Sequence, residues 1–221
     1  YDVRVLDDDG AEVTGNQIGN IAIKLPLPPG CLPTLWNNDD AYVDSYLTAY
    51  PGYYKTADAG YKDEDGYLWI MSRTDDIINV AGHRLSTGAL EEVLAAHADV
   101  AECAVIGVAD ELKGEVPLGL VVLKLGVGRS EEEIVAELIR LVREKIGPVA
   151  SFKLATVVNR LPKTRSGKIV RGTIKKMADG VEYRVPPTIE DATVLDEIRV
   201  NLNALGYPRS ERERGETIFK E

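Results

Sequence analysis

The first third of the chain shows the two-residue alternation of apolar and polar positions that is typical of half-buried strands. Val3 and Val5 alternate with polar residues, and an apolar stretch over 18–25 predicts a second strand. Further along, apolar and aromatic residues flank the Asp-Glu-Asp-Gly sequence at 63–66, which is a strong hairpin signal. This part of the chain is therefore predicted to be rich in β structure.

The pattern changes near Arg73–Asp76, beyond which helical periodicity alternates with continuous apolar runs. The runs over 100–108 and 116–125 have the length of buried strands. Ser130 is followed three residues later by a glutamate, which is the capping-box signature of a helix start, and a wide apolar stripe follows it. Strands and helices are thus mixed, and the predicted fold class is α+β.

The same patterns predict three parts in the chain. Residues 1–74 read as the β-rich end of a large domain, because they are too few to enclose a core alone. Residues 75–180 are predicted to form a small α+β domain whose last helix begins at Lys168. Residues 181–221 are polar and interrupted by proline, which predicts a loosely held C-terminal extension ending in the charged run 210–214.

The charge balance argues against nucleic acid as a partner. The formal net charge is −10, whereas a duplex-binding domain needs clustered cations. One local exception is the stretch 163–176, which carries six basic residues and no acidic one. A basic patch on an acidic protein favours a small phosphorylated ligand. No apolar run approaches the roughly 18 to 20 residues that a membrane-spanning helix needs.

Cys31 and Cys103 have neither a metal-ligand spacing nor the pattern of a disulfide framework. Both lie among apolar neighbours, which predicts buried free thiols in a reducing compartment. We therefore expect an intracellular protein, in the cytoplasm or the mitochondrial matrix, without a metal site of its own.

The strongest candidate for chemistry is the segment Leu161-Pro-Lys-Thr-Arg-Ser-Gly-Lys168. Its proline and glycine favour a loop that can approach a ligand closely, and three of its side chains are cationic. It is not a phosphate-binding P-loop, because it lacks the upstream glycine and the hydroxyl residue after the lysine. From its composition alone, the segment could equally be a solvated turn that binds no ligand.

Three segments together give the chain a recognisable resemblance. Besides the lysine loop at 161–168, these are Tyr54-Lys-Thr-Ala-Asp58-Ala-Gly and the stretch from Asp65 to Leu85, which includes Ser-Arg73-Thr-Asp75 and Val-Ala-Gly82-His-Arg84. In their order and spacing they resemble the adenylate-forming superfamily of acyl-CoA and aryl-CoA ligases. The likeness is greatest to the short-chain branch, and within it to the propionate-specific enzymes.

The resemblance implies a nucleotide site at two of these positions. Asp58 matches the aspartate that holds the ribose hydroxyls of ATP, where a carboxylate can accept charge-assisted hydrogen bonds. Arg73 matches an arginine that reaches the nucleotide, and its planar fork suits phosphate or ribose oxygens. Asp75 matches the hinge about which the small domain rotates between two half-reactions. Ala57 departs from the glycine that is usual in the family before the aspartate.

Lys168 matches the lysine that enters the site for adenylation, where a cation stabilises charge gathering on the α-phosphate. The Mg²⁺ that such a reaction needs is expected to arrive bound to ATP. Lysine acylation and deacylation enzymes are further expected partners, because acylation of Lys168 would remove its charge.

Coenzyme A is the implied ligand for the second half-reaction. Gly82 and Arg84 match the loop that faces the site after rotation, the glycine by letting the pantetheine arm pass and the arginine by meeting phosphate. Arg143 matches an arginine that contacts the nucleotide phosphate of the coenzyme. His83 and His97 are given no catalytic role.

Alternatives remain open from the sequence. The acid could be acetate or butyrate in place of propionate, and the chain could be a non-catalytic module that binds a nucleotide or a partner protein. The family's phosphate loop, adenine-stacking segment and acid pocket match nothing between 1 and 221. We therefore expect no acyl-CoA formation by this chain alone, and its oligomeric state stays open.

Overall fold

The computed structural model describes residues 1–209 and divides into two compact units, an N-terminal unit, Tyr1–Ile77, and a C-terminal unit that begins at Ile78. Each unit has its own sheet. The predicted α+β class is confirmed, because both units combine helices with predominantly antiparallel sheets. The three-part domain division and the mobility of the second part stay predictions.

The N-terminal unit is a four-stranded antiparallel sheet in the order β1-β2-β3-β4, with one helix, α1. Its elements are β1 (Val3–Leu6), β2 (Gly19–Lys24), α1 (Asp39–Tyr46), β3 (Tyr53–Lys62) and β4 (Leu68–Arg73). The predicted hairpin joins β3 to β4, and its turn is closed by hydrogen bonds between Asp63 and Tyr67. Tyr46 of α1 stacks on Tyr54 of β3, with ring centroids 5.2 Å apart.

As far as residue 209, the C-terminal unit is a mixed sheet with two α-helices on each face. Strands β6-β5-β8-β7 follow one another in that order, and β9 pairs parallel with β8. Its strands are β5 (Ile77–Val80), β6 (His83–Ser86), β7 (Val100–Asp110), β8 (Gly114–Leu123) and β9 (Leu154–Val157). Its helices are α2 (Thr87–Ala95), α3 (Glu131–Lys145), α4 (Arg171–Asp179) and α5 (Val194–Ala204).

Two hydrophobic clusters lie on the opposite faces of this sheet. On β7, Ile106 and Val108 belong to the cluster that α4 and α5 cover, whereas Val105 belongs to the cluster that α2 and α3 cover. A strand that is buried on both faces reads as a continuous apolar run, which is why β7 and β8 lack alternation in the sequence.

The start of α3 follows its sequence signal, whereas the start of α4 does not. Ser130 is the N-cap of α3, and its hydroxyl accepts the backbone N–H of Glu133 at 3.2 Å. The prediction that Lys168 opens the last helix is wrong, because α4 begins at Arg171. The carbonyl of Val170 accepts the first helical bonds of α4, while both backbone groups of Lys168 bond to Thr164.

The expectation of a loosely held segment beyond Asp179 is also wrong for the described part of it. Ile198 and Leu202 of α5 are fully buried, and the Tyr207 hydroxyl donates to the carbonyl of Ala109 at 3.2 Å. The apolar residues of α5 recur every three to four positions, which gives a helix face for the sheet. The charged run 210–214 lies outside the described residues.

Within residues 1–209, no helix is both long and apolar enough to cross a membrane.

Candidate functional site

The two residues that the resemblance assigns to nucleotide binding lie side by side on neighbouring strands. Asp58 of β3 is directly opposite Arg73 of β4 in the antiparallel register, and their charged groups are 3.9 Å apart. Neither is buried, since the Arg73 side chain is 55% exposed and that of Asp58 33%. A carboxylate that can accept hydrogen bonds from hydroxyl groups therefore lies beside a guanidinium that can donate to phosphate or ribose oxygens.

A bulge in β3 sets the position of Asp58. The pairing of β2 with β3 shifts between Ile21 and Ala22, which leaves Thr56 and Ala57 outside the regular ladder. The Thr56 hydroxyl donates to the carbonyl of Ile21 at 2.8 Å and accepts the backbone N–H of Asp58 at 3.1 Å. Sequence reasoning missed Thr56 as a positioning residue, although it lies within the recognised segment.

Ala57 lies in the left-handed backbone region, with φ at +63°. This conformation explains why glycine is usual there in the resembling family, because a Cβ disfavours it. We expect Ala57→Gly to stabilise the N-terminal unit by about 0.5–1 kcal/mol, since glycine's greater unfolded-state entropy offsets part of a penalty of about 1–2 kcal/mol. Urea unfolding followed by tryptophan fluorescence reports on this unit, because both tryptophans, Trp36 and Trp69, belong to it.

The matched control is Ala41→Gly in α1, where the same substitution is expected to destabilise the unit by about 0.5–1 kcal/mol. If both substitutions lower the unfolding midpoint equally, the backbone at Ala57 carries no strain and this reading of the bulge is wrong.

Asp75, the predicted hinge residue, lies in the 3-10 turn Thr74–Asp76 between β4 and β5, two residues before the boundary of the N-terminal unit. Its carboxylate is 3.5 Å from the guanidinium of Arg73. Arg73 therefore has an acidic neighbour on each side, Asp58 and Asp75, and the hinge role itself stays a prediction.

Gly82 and Arg84 belong to the hairpin between β5 and β6. Ala81 and Gly82 form its two-residue turn, and both have positive φ, at +48° and +86°. This pattern matches the type I′ turn that short hairpins favour. Within residues 1–209, and apart from the two chain neighbours of Gly82, no atom lies within 4 Å of the position that a Cβ on this residue would take, so its backbone is open to an approaching ligand.

Lys168 lies in a tight hairpin. The Thr164 N–H donates to the Lys168 carbonyl at 2.8 Å, and the Lys168 N–H donates to the Thr164 hydroxyl at 3.1 Å. Gly167 completes the turn with φ at +81°. Within residues 1–209 the exposed Lys168 ammonium forms no ion pair, unlike Lys163, which pairs with Glu102 at 2.6 Å.

The start of α4, directly after this hairpin, is fixed by a two-pronged ion pair. Arg171 donates to both carboxylate oxygens of Glu91 on α2, at 2.8 and 2.7 Å. The same carboxylate accepts the backbone N–H of Val105 at 2.9 Å. Bidentate geometry of this kind adds directional restraint, so the hairpin leaves the core from a well-defined point.

The remaining predicted residue, Arg143, is exposed near the end of α3. The structure thus brings Asp58, Arg73 and Asp75 together in the N-terminal unit. It places the other predicted residues on three separate elements of the C-terminal unit: the β5–β6 turn, α3 and the hairpin before α4.

Cys31 and Cys103 are free thiols, each partly buried. Burial, and then the nearby Glu91 carboxylate, raise the pKa of the Cys103 thiol to about 11, which keeps it protonated and unreactive at neutral pH. Among the described residues, no group of three or more His, Cys, Asp or Glu side chains could hold a metal ion.

The chain is similar in sequence and in structure to known proteins. Residues 89–168 match the AMP-binding enzyme C-terminal domain. The chain is 52% identical over 198 residues to the mitochondrial acyl-CoA synthetase short-chain family member 3 of Mus musculus, covering 90% of this chain and 29% of that protein. It is 43% identical over 199 residues to the acetyl-coenzyme A synthetase of Pyrobaculum arsenaticum, again covering 90% of this chain and 29% of the relative.

A solved structure agrees with these relatives. The anthranilate CoA ligase AuaEII, in complex with anthranoyl-AMP, superposes with a TM-score of 0.63 at 29% identity, covering 79% of this chain and 32% of that chain. The chain therefore spans less than a third of the length of the curated relatives it matches.

Proposed function

Because this chain carries the AMP-binding C-terminal domain of the adenylate-forming acyl-CoA synthetases, we propose that it forms part of a short-chain acid–thiol ligase. The reaction has two steps. A carboxylate oxygen of the acid attacks the α-phosphorus of ATP, and the bond to the leaving pyrophosphate breaks. The thiol sulfur of coenzyme A then attacks the acyl carbon, the bond to AMP breaks, and the thiol proton is released.

The N-terminal unit would hold the nucleotide. Asp58 would accept the ribose hydroxyls, and Arg73 would donate to nearby ribose or phosphate oxygens. Both side chains are partly exposed, and their charged groups are 3.9 Å apart, so each keeps hydrogen-bonding capacity for a ligand. The chemistry that Mg²⁺ bound to ATP would supply is shielding of the negative charge on the pyrophosphate.

Lys168 would supply the positive charge for the first step. The observation that carries the proposal is its exposed ammonium, held on a hydrogen-bonded hairpin and without an ion pair within residues 1–209. A cation placed before the reaction begins stabilises developing charge on phosphorus without reorganisation. The paired Lys163 is less suited to this task, because binding a phosphate would first cost it Glu102.

Gly82, Arg84 and Arg143 would act in the second step. The open backbone at Gly82 suits passage of the pantetheine arm, and the two arginines suit the phosphates of coenzyme A. Alternation between the two steps would require the C-terminal unit to turn about Asp75. The mitochondrial name of the mouse relative supports an intracellular compartment for this chain as well.

Propionate is the proposed acid, and acetate is the second candidate, favoured by the likeness to an acetyl-coenzyme A synthetase. The complete enzyme that contains this chain tests both by ATP–pyrophosphate exchange with propionate, acetate or butyrate as the only acid. We expect exchange that depends on the acid and has its highest kcat/KM with propionate. Higher kcat/KM with acetate would replace the proposed acid, and absence of exchange with any carboxylic acid would contradict the ligase.

A partner-binding module is the alternative from another class, and the 221-residue chain separates the two. Titration calorimetry with coenzyme A is expected to give binding that weakens in Arg84→Ala and in Arg143→Ala. A module that binds only a protein partner has no affinity for coenzyme A.

A further inference from the structure

A short segment beyond the family match pairs with the hairpin that carries Lys168. The match ends at 168, and this brace segment, as we name residues 186–191, follows α4. The Arg165 N–H donates to the Thr188 carbonyl at 2.9 Å, and the Glu190 N–H donates to the Lys163 carbonyl at 2.9 Å. An antiparallel bridge joins Thr164 to Ile189.

The hairpin and the brace segment together form a small three-stranded arrangement. Lys163 and Ile169 are bridged antiparallel within the hairpin, and the brace segment pairs with the limb at 163–165. Lys168 lies on the other limb and therefore stays exposed at the outer edge. An isolated two-stranded hairpin is marginally stable in water, whereas a third strand makes such a unit much more persistent.

The brace segment is itself anchored to the core and to the strand end before the hairpin. Ile189 is buried in the cluster that α4 and α5 cover. Asp191 pairs with Arg160 at 3.0 Å, and the Thr193 hydroxyl and N–H, followed by Arg160, lower the pKa of its carboxyl group. The Glu197 carboxylate accepts the backbone N–H of Asn159 at 2.6 Å. Residues 159–160, which precede the hairpin, are thus held by Asp191 of the brace segment and by Glu197 of α5.

We propose that residues 186–191 are a positioning element for Lys168, which limits where its ammonium can stand when the adenylate forms. This inference rests on the proposed function, because it assumes that Lys168 acts in adenylation. A lysine on a loop that fluctuates would reach the α-phosphate only part of the time, and electrostatic stabilisation depends on groups that are already in place.

Glu190→Pro tests the brace most directly. Proline has no N–H, so the bond to the Lys163 carbonyl is lost, while the glutamate side chain is exposed and dispensable. Glu190→Ala is the matched control, since it removes the same side chain and keeps the N–H. Because a proline could disturb folding, Arg160→Gln is a second variant that removes only the exposed ion pair to Asp191.

In the 221-residue chain, amide hydrogen exchange reports on the hairpin. Glu190→Pro is expected to speed exchange of the Arg165 N–H by about fivefold to tenfold, which is the worth of one net hydrogen bond. Arg160→Gln is expected to speed it by about twofold, in keeping with an exposed ion pair. Exchange of the Arg165 N–H should stay at the parent rate in Glu190→Ala, and exchange of the β7 amides should stay at the parent rate in every variant. An unchanged exchange rate of the Arg165 N–H in Glu190→Pro overturns the inference.

In the complete enzyme, Glu190→Pro is expected to lower kcat of the adenylation half-reaction by about the same factor. The KM for ATP and thioester formation from supplied acyl-AMP should stay as in the parent. Unchanged adenylation in Glu190→Pro, beside a collapse in Lys168→Ala, would overturn the positioning role and leave the proposed function standing. If Lys168→Ala leaves adenylation intact, the proposed role of Lys168 fails, and the inference fails with it.

Discussion

Lys168→Ala in the complete enzyme is expected to lower adenylate formation by about 10²- to 10³-fold, the usual cost of one contact that stabilises transition-state charge. The structure supports a loss of this size, because the ammonium is exposed and forms no ion pair within residues 1–209. A lysine already paired with a carboxylate would stabilise the transition-state charge less. The backbone of the hairpin should survive the substitution, since Lys168 bonds to Thr164 only through its main chain.

Two assays separate the half-reactions. ATP–pyrophosphate exchange measures adenylate formation, and thioester formation from supplied propionyl-AMP and coenzyme A measures the second step. The first should collapse while the second survives, because Gly82, Arg84 and Arg143 are untouched. Such a split supports alternation of the C-terminal unit between two tasks.

Lys176→Ala is the matched control, since it removes one exposed lysine from the same basic stretch, on α4. We expect less than a twofold change in either half-reaction, as is usual for a solvated charge. If Lys168→Ala behaves like Lys176→Ala, the basic loop is a solvated turn and the role carried over from the family is wrong.

The sequence predicts well those features that neighbouring residues determine. The β3–β4 hairpin follows from Asp-Glu-Asp-Gly at 63–66, and the start of α3 follows from Ser130, because turn and cap chemistry act within a few residues. The candidate residues were likewise found from short segments. Their opposed positions on β3 and β4 are information that only the strand register adds, as the 3.9 Å contact between Asp58 and Arg73 illustrates.

The failures come from contacts between residues far apart in the chain. Lys168 has the sequence surroundings of a helix start, but its backbone groups bond to Thr164, and the hairpin pairs with residues about 25 positions later. The local sequence around Pro186 and Thr188 does not predict such pairing. For the same reason the polar, proline-interrupted extension read as loosely held, although the sheet face covered by α4 is incomplete without α5.

Ile198→Ala is expected to destabilise the C-terminal unit by about 2–5 kcal/mol. The side chain is fully buried in the cluster between the sheet, α4 and α5, so its removal loses transfer free energy and leaves a cavity. Urea unfolding followed by far-ultraviolet circular dichroism is the suitable measurement, because the four longest helices within residues 1–209 belong to this unit and both tryptophans to the other. The unfolding midpoint should fall while the tryptophan transition of the N-terminal unit stays in place.

Val200→Ala provides the comparison, because Val200 lies on the same helix and is 67% exposed. Its effect should stay within about 0.5 kcal/mol, as for most surface substitutions. Equal, small effects at both positions would mean that α5 contributes little to the core. A large effect at Ile198 would show that the extension is part of the folded unit, and therefore a support from which residues 186–191 can hold the Lys168 hairpin.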